Sequence, residues 1–249
     1  AKKKGLKSQD VVSISIMPCT AKKYEADRPE MRSSGYKDVD FVLTTRELGA
    51  MIKQAGINFK NLPEQQCDSI MGNSSGAAVI FGATGGVMEA ALRTVYEIVT
   101  GREVPFANLN ILPVRGMEGV REAKVKIEDC LPEWSFLNGV EVSCAVAHGL
   151  ANARKLMQSV KDGSANYHFI EIMACPGGCL GGGGQPIPTN QEIRDKRASA
   201  IYDEDENLPI RKSHENPEVK QIYEEFLGAP NSHKSHDLLH THYTERNKF

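Results

Sequence analysis

Two cysteines with a three-residue gap, Cys175 and Cys179, sit in the run Glu171-Ile-Met-Ala-Cys-Pro-Gly-Gly-Cys-Leu-Gly-Gly-Gly-Gly-Gln-Pro186. A third, Cys19, stands far upstream in Met17-Pro-Cys-Thr-Ala-Lys22. Thiolates are soft ligands, and clustered thiolates suit zinc or iron–sulfur clusters. Zinc asks for a fourth Cys or His, usually as a second close pair, and Cys19 has no close partner in sequence. A cubane also needs four ligands but tolerates scattered spacing. The glycines would let the backbone approach a bulky cluster and aim N–H groups at its sulfides. A turn merely decorated with cysteines explains the glycine and proline density less well.

The elements around these residues place them at strand ends. A β-branched strand over residues 11–16 runs into Cys19, and a strand over 167–173 delivers Cys175 and Cys179. Open α/β sheets carry their chemistry at the C-terminal ends of strands. A strand over 40–43 precedes a helix opened by Thr44 with Glu47 three residues on, a capping box, and that helix extends to about Gly56. Residues 58–75 read as loop. Further strands are expected near 109–114, 123–127 and 140–147. An amphipathic helix is expected over 87–99, ended by Gly101, and another over about 149–160. From about residue 187 the chain reads as mostly helical, with Asn190 capping one segment through about 202 and Asn216-Pro217 opening another through 226. The alternation argues an α/β fold with a largely parallel sheet.

Composition narrows the function classes. The 249 residues, 40% hydrophobic and 25% charged, suit one large or two small globular domains. A net charge of -2 without a long basic run does not suggest a nucleic-acid surface. No apolar stretch reaches membrane-span length, and the start Ala1-Lys-Lys-Lys-Gly5 lacks a signal-peptide core. Six cysteines are too sparse for a disulfide scaffold. Cys67, Cys130 and Cys144 have no assigned role, and Cys144 reads as a small core residue. Gly82-Ala-Thr-Gly-Gly86 lacks a Walker lysine and Rossmann spacing, so helix packing is the better reading than phosphate binding. His233, His236, His240 and His242 read as a partly buried, hydrogen-bonded tail ahead of a metal site. Asp203-Glu-Asp-Glu206 reads as a solvated helix end.

Met17-Pro-Cys-Thr-Ala-Lys-Lys-Tyr-Glu25, together with Glu171–Cys179 and Gly182-Gly-Gly-Gln-Pro186, resembles the second and third signature motifs of the [FeFe]-hydrogenases. Ile80-Phe-Gly-Ala-Thr-Gly-Gly-Val-Met-Glu-Ala-Ala91 and Ser213-His-Glu-Asn-Pro217 are similar to the same family. The resemblance implies a two-lobed iron hydrogenase-like α/β fold with parallel or mixed sheets and flanking helices. It implies that Cys19, Cys175 and Cys179 ligate the H-cluster, a [4Fe-4S] cubane joined to a two-iron subcluster carrying CO, cyanide and a bridging dithiolate. Cys179 matches the bridging cysteine, and Lys22 the lysine that hydrogen-bonds a cyanide. Met17, Pro18, Phe81 and Met173 match residues packed around the two-iron site; by residue type alone, Met17, Phe81 and Met173 read as core.

The family's first motif, a Thr-Ser-Cys-Cys-Pro run that supplies the fourth cubane ligand and starts the proton relay, does not occur here. Residues 1–249 are therefore expected to be the C-terminal part of the catalytic domain, its N-terminal part residing elsewhere. The implied activity is reversible H2 oxidation and proton reduction. Ferredoxin or a similar electron carrier and H-cluster maturation factors are the implied partners. The expected location is cytoplasmic, or periplasmic through a partner's signal. A non-catalytic hydrogenase-like iron–sulfur assembly protein and a low-turnover sensory hydrogenase are the alternatives.

Overall fold

The computed structural model describes residues 1, 4–68 and 71–245. Lys2 and Lys3 of the basic start and residues 69 and 70 of the expected loop lie outside the described residues. The chain divides into two compact units. The first contains Ala1–Gln65, Gly183–Pro186 and Lys220–Phe249; the second contains Gln66–Gly182 and Ile187–Val219.

In the first unit, β1 (Ile14–Met17) pairs in parallel with β2 (Phe41–Thr44), Met17 opposite Thr44. Helix α1 (Ala21–Ala26) follows the Cys19 turn, and α2 (Thr45–Gln54) follows β2 directly. The capping box is present. The Thr44 hydroxyl accepts from the Glu47 amide at 3.2 Å, and Glu47 accepts from the Thr44 amide at 2.7 Å. The strands are short and start later than the β-branched run, because Val11 and Val12 lie outside the pairing. The residues after Pro217 belong partly to this unit, including α8 (His233–Leu239).

The second unit holds a three-stranded mixed sheet in the order β3-β4-β5. Strands β3 (Val120–Lys126) and β4 (Glu141–His148) are antiparallel, whereas β4 and β5 (Phe169–Met173) are parallel. Strand β3 alternates exposed and buried, with Arg121, Ala123 and Val125 inward, as a half-buried strand requires. Helix α3 (Gly76–Val79) leads to α4 (Gly86–Thr100), which packs Met88, Leu92 and Tyr96 with Ile111, Val114, Val125, Cys144 and Val146. The crossover between β4 and β5 is α5 (Leu150–Lys161), and Leu156 packs on Ala145 and Ala147. Helix α6 (Gln191–Asn207) starts at Asn190, whose side chain accepts from the Ile193 amide at 2.9 Å. It runs past the expected end at 202. Asn216 likewise caps α7 (Pro217–Ile222), accepting from the Glu218 amide at 2.9 Å.

Two expectations need correction. Residues 109–114 form single 3-10 turns, not a strand, because Asn108 and Leu109 adopt positive φ (53 and 58) and Pro113 removes a donor. Asp205, expected at a solvated helix end, is fully buried. Arg93, also fully buried, meets it with both terminal nitrogens at 2.8 Å and donates to Glu89 at 2.6 Å. Arg115 and Arg211 complete the network, at 2.8 Å from Glu89 and 2.6 Å from Asp205. It joins α4 to α6, with each carboxylate held by more than one guanidinium, the arrangement that offsets burying charge.

Candidate metal centre

The Cys175–Cys179 loop leaves the C-terminal end of β5, as expected from the sequence. None of the six cysteines is in a disulfide, and Cys19, Cys175 and Cys179 are half-buried. Cys144 is fully buried, and burial pushes its thiol pKa up, as suits a core residue.

The loop is tied on two sides within the second unit. The Gly177 carbonyl accepts from the Thr84 amide at 3.1 Å, and Gly178 forms an isolated antiparallel bridge with Ala83. Gly178 has φ +86, and a Cβ there would stand 2.8 Å from the Thr84 nitrogen and 3.0 Å from the Gly82 oxygen. Only glycine permits this approach. On the other side the Gly177 amide donates to Nδ1 of His148, the last residue of β4. His148 is 9% exposed. Burial, Arg121 and Arg194 lower its pKa, while a hydrogen bond to the Met117 backbone opposes them.

The turn that grips the loop is itself anchored. Glu171, on β5, accepts from the amides of Gly85 at 2.6 Å and Met88 at 2.7 Å at the start of α4. A carboxylate there answers the helix's unpaired N–H groups and its positive end. Burial nevertheless raises the Glu171 pKa, against those bonds and Arg121. Arg121 donates to the Thr84 carbonyl at 2.9 Å and to the Glu118 carbonyl at 3.2 Å.

In the first unit, Cys19 follows β1 directly. The Gly184 amide donates to the Pro18 carbonyl at 2.9 Å, and the Arg46 amide to the Gly184 carbonyl at 3.1 Å. A Cβ on Gly184 would lie 2.9 Å from both the Pro18 carbonyl carbon and the Thr44 Cβ. Gly184 thus packs tightly on the Pro18 backbone that precedes Cys19.

The remaining expected residues are placed as follows. Met17 ends β1 and Met173 ends β5, both half-buried. Phe81, read as core, is 45% exposed in the turn Ile80–Gly82. Lys22 lies on α1 with its ammonium paired to Glu25 and its side chain 46% exposed. The amides of Gly177, Gly178, Gly181, Gly182 and Gly184 all donate to protein acceptors. The glycines therefore serve close packing, and those five N–H groups are not aimed at a cluster. The sequence alone does not single out His148, Glu171 or Arg121, which hold the loop and the turn beside it. Glu171 carried the one signal, a carboxylate inside an otherwise apolar strand.

The donor set fits a thiolate-held group. Two half-buried cysteines flank a loop that is fixed from both sides, and the Thr84 hydroxyl beside it is buried without a hydrogen-bond partner. Buried polar atoms rarely stay unsatisfied, and a group held at this loop is one way to answer it. Two other clusters do not compete. Glu97, His214 and Glu215 converge within 4.8 Å, but the Lys212 ammonium bonds Glu97 at 2.5 Å and Glu215 at 2.8 Å and supplies the cation itself. The C-terminal histidines are exposed, not partly buried; His236 and His240 hydrogen-bond each other, and His233 meets Asp237 at 3.0 Å. No helix among the described residues is long and apolar enough to cross a membrane.

Residues 1–183 match the family described as iron only hydrogenase large subunit, C-terminal domain, and residues 191–246 match the iron hydrogenase small subunit. The chain is 49% identical over 245 residues to the NADP-reducing hydrogenase subunit HndD of Solidesulfovibrio fructosivorans, covering 98% of this chain and 40% of that protein. Iron hydrogenase 1 of Clostridium pasteurianum is 44% identical over 244 residues, 96% of this chain and 40% of that protein. A more distant relative, the cytosolic Fe-S cluster assembly factor narfl of Xenopus tropicalis, is 29% identical over 250 residues, 98% of this chain and 49% of that protein. Among solved structures, an apo [FeFe]-hydrogenase variant from Chlamydomonas reinhardtii superposes with a TM-score of 0.81 at 44% identity, covering 98% of this chain and 65% of that one. The chain thus spans about 40% of the length of the two curated hydrogenases.

Proposed function

The chain belongs to the iron-only hydrogenase large-subunit family, and from that premise we propose that it is the C-terminal part of a catalytic domain for reversible H2 oxidation and proton reduction. We read Cys19, Cys175 and Cys179 as the residues that would hold a [4Fe-4S] cubane, with Cys179 also holding the two-iron subcluster. The fourth ligand would come from a segment outside these residues, in keeping with the share of the hydrogenase relatives that the chain spans. When bound, the H-cluster supplies H2 cleavage and one-electron transfer.

The chain's own residues hold, orient and shield. The single observation that carries this reading is the Cys175–Cys179 loop at the end of β5, fixed through Gly177 and Gly178 to His148, Thr84 and Ala83. A loop fixed before it is loaded presents its thiolates at little entropic cost. Met17, Pro18, Phe81 and Met173 would line the two-iron site and limit water access. Lys22 would give up its exposed pairing with Glu25 and direct its ammonium to a cyanide ligand. Ferredoxin or a similar carrier would exchange the electrons, and maturation factors would install the two-iron part.

A second reading, a non-catalytic iron–sulfur assembly protein, draws on the 29% identical assembly factor. Identity of 44–49% to hydrogenases favours the catalytic reading. The test is anaerobic reconstitution of the full-length protein with iron and sulfide, followed by EPR of the reduced cluster. Replacing Cys19, Cys175 or Cys179 by Ser should each abolish or alter the [4Fe-4S] signal, while Cys144→Ser leaves it unchanged. Wild-type signals in all three variants would overturn the ligand assignment.

A further inference from the structure

We propose that His148 is a positioning residue for the cysteine loop: its Nδ1 atom, accepting the Gly177 N–H, holds Cys175 and Cys179 in their ligand-presenting arrangement. This rests on the reading of those two cysteines as cluster ligands.

The strand register puts His148 where it can act. It is the last residue of β4 and pairs with Met173, the last residue of β5, so it flanks the point where the loop departs. The Gly149 amide donates to the Met173 carbonyl at 2.9 Å and locks the two strand ends together. Gly177 is the residue midway between the two cysteines. Both polar groups of its backbone are held, the N–H by His148 and the C=O by the Thr84 amide at 3.1 Å. The two holds come from different elements, one from β4 and one from the turn before α4.

The chemistry of the ring suits this task. Glycine has the most backbone freedom to lose, so a loop containing Gly177 and Gly178 gains most from a fixed acceptor. An imidazole accepts at Nδ1 only while that nitrogen carries no proton. Burial and the nearby Arg121 guanidinium lower the ring's pKa, the direction that favours an unprotonated acceptor. A leucine of similar bulk would fill the space and leave the Gly177 N–H without an acceptor, whereas a glutamine can accept through its side-chain carbonyl.

The experiment compares wild type, His148→Leu and His148→Gln in the full-length protein. Hydrogen exchange of the cluster-free form reads the loop directly. His148→Leu should exchange the Gly177 amide roughly tenfold faster while the β4 core keeps wild-type protection. After reconstitution with iron and sulfide, His148→Leu should lose its cluster to a chelator about 10- to 100-fold more readily and show a shifted EPR spectrum. His148→Gln should recover most of both properties. Wild-type exchange and wild-type retention in His148→Leu would overturn the proposal. So would equal losses in both variants with protection falling throughout the second unit, the mark of a merely structural role. A wild-type protein that takes up no cluster would overturn the cysteine-ligand reading alone, because the exchange comparison decides the His148 hold without any cluster.

Discussion

The carboxylate of Glu171, on the strand that leads into the Cys175 loop, accepts the Met88 amide of α4 at 2.7 Å. The same side chain accepts the Gly85 amide at 2.6 Å. One residue therefore joins the strand that delivers the loop to the helix behind the turn that grips it.

Glu171→Ala should leave two buried amides without acceptors and cost about 1–3 kcal/mol of stability. Glu171→Gln keeps one acceptor and should cost less. Urea unfolding midpoints of the cluster-free protein check this, and equal midpoints for wild type and Glu171→Ala would refute it.

The Arg93–Asp205 pair gives the larger effect. Asp205→Asn leaves Arg93 with a single carboxylate partner in a fully buried position. Removing one partner of a buried pair costs about 3–5 kcal/mol, whereas replacing both by apolar groups of similar volume costs far less. Calorimetry should therefore show Asp205→Asn melting well below wild type, and an unchanged melting temperature would refute the role given to the pair.

The cap of α2 predicts an acid response. The Thr44 amide, then Lys23, then the Thr44 hydroxyl hold the Glu47 carboxyl down from 4.5 to about 2. A depressed carboxylate stabilises the folded state above its unfolded value, and that contribution disappears as pH falls from about 4.5 towards 2. Wild type should lose stability across this window more steeply than Glu47→Gln. Parallel pH profiles for the two proteins would show that the cap makes no such contribution.

These cases mark how far the sequence was readable. The Thr44 and Asn190 caps, β5 and its cysteines, and the core role of Cys144 follow from local rules of spacing and residue type. Asp205 does not, because its partner Arg93 is over a hundred residues away and nothing local distinguishes it from exposed Asp203. Residues 109–114 have strand-like composition, but positive φ at Asn108 and Leu109 breaks the run. His148 was hidden for a related reason. Its role exists only through pairing with β5, a long-range register that no local pattern contains.

Lys22 separates catalysis from cluster binding alone. Its pairing with Glu25 is exposed, so Lys22→Asn should leave folding nearly unchanged. If Lys22 partners a cyanide ligand, the same variant should lose or misplace the two-iron part while the cubane EPR signal persists. Full H2 turnover in Lys22→Asn would remove that role.

Infrared spectroscopy of the full-length protein, produced with the H-cluster maturation machinery, tests the central claim most directly. The account predicts stretching bands of metal-bound CO and cyanide in wild type, and their loss in Cys179→Ala. A wild-type protein with a full [4Fe-4S] EPR signal and no CO or cyanide bands would contradict it and identify the chain with the non-catalytic assembly proteins.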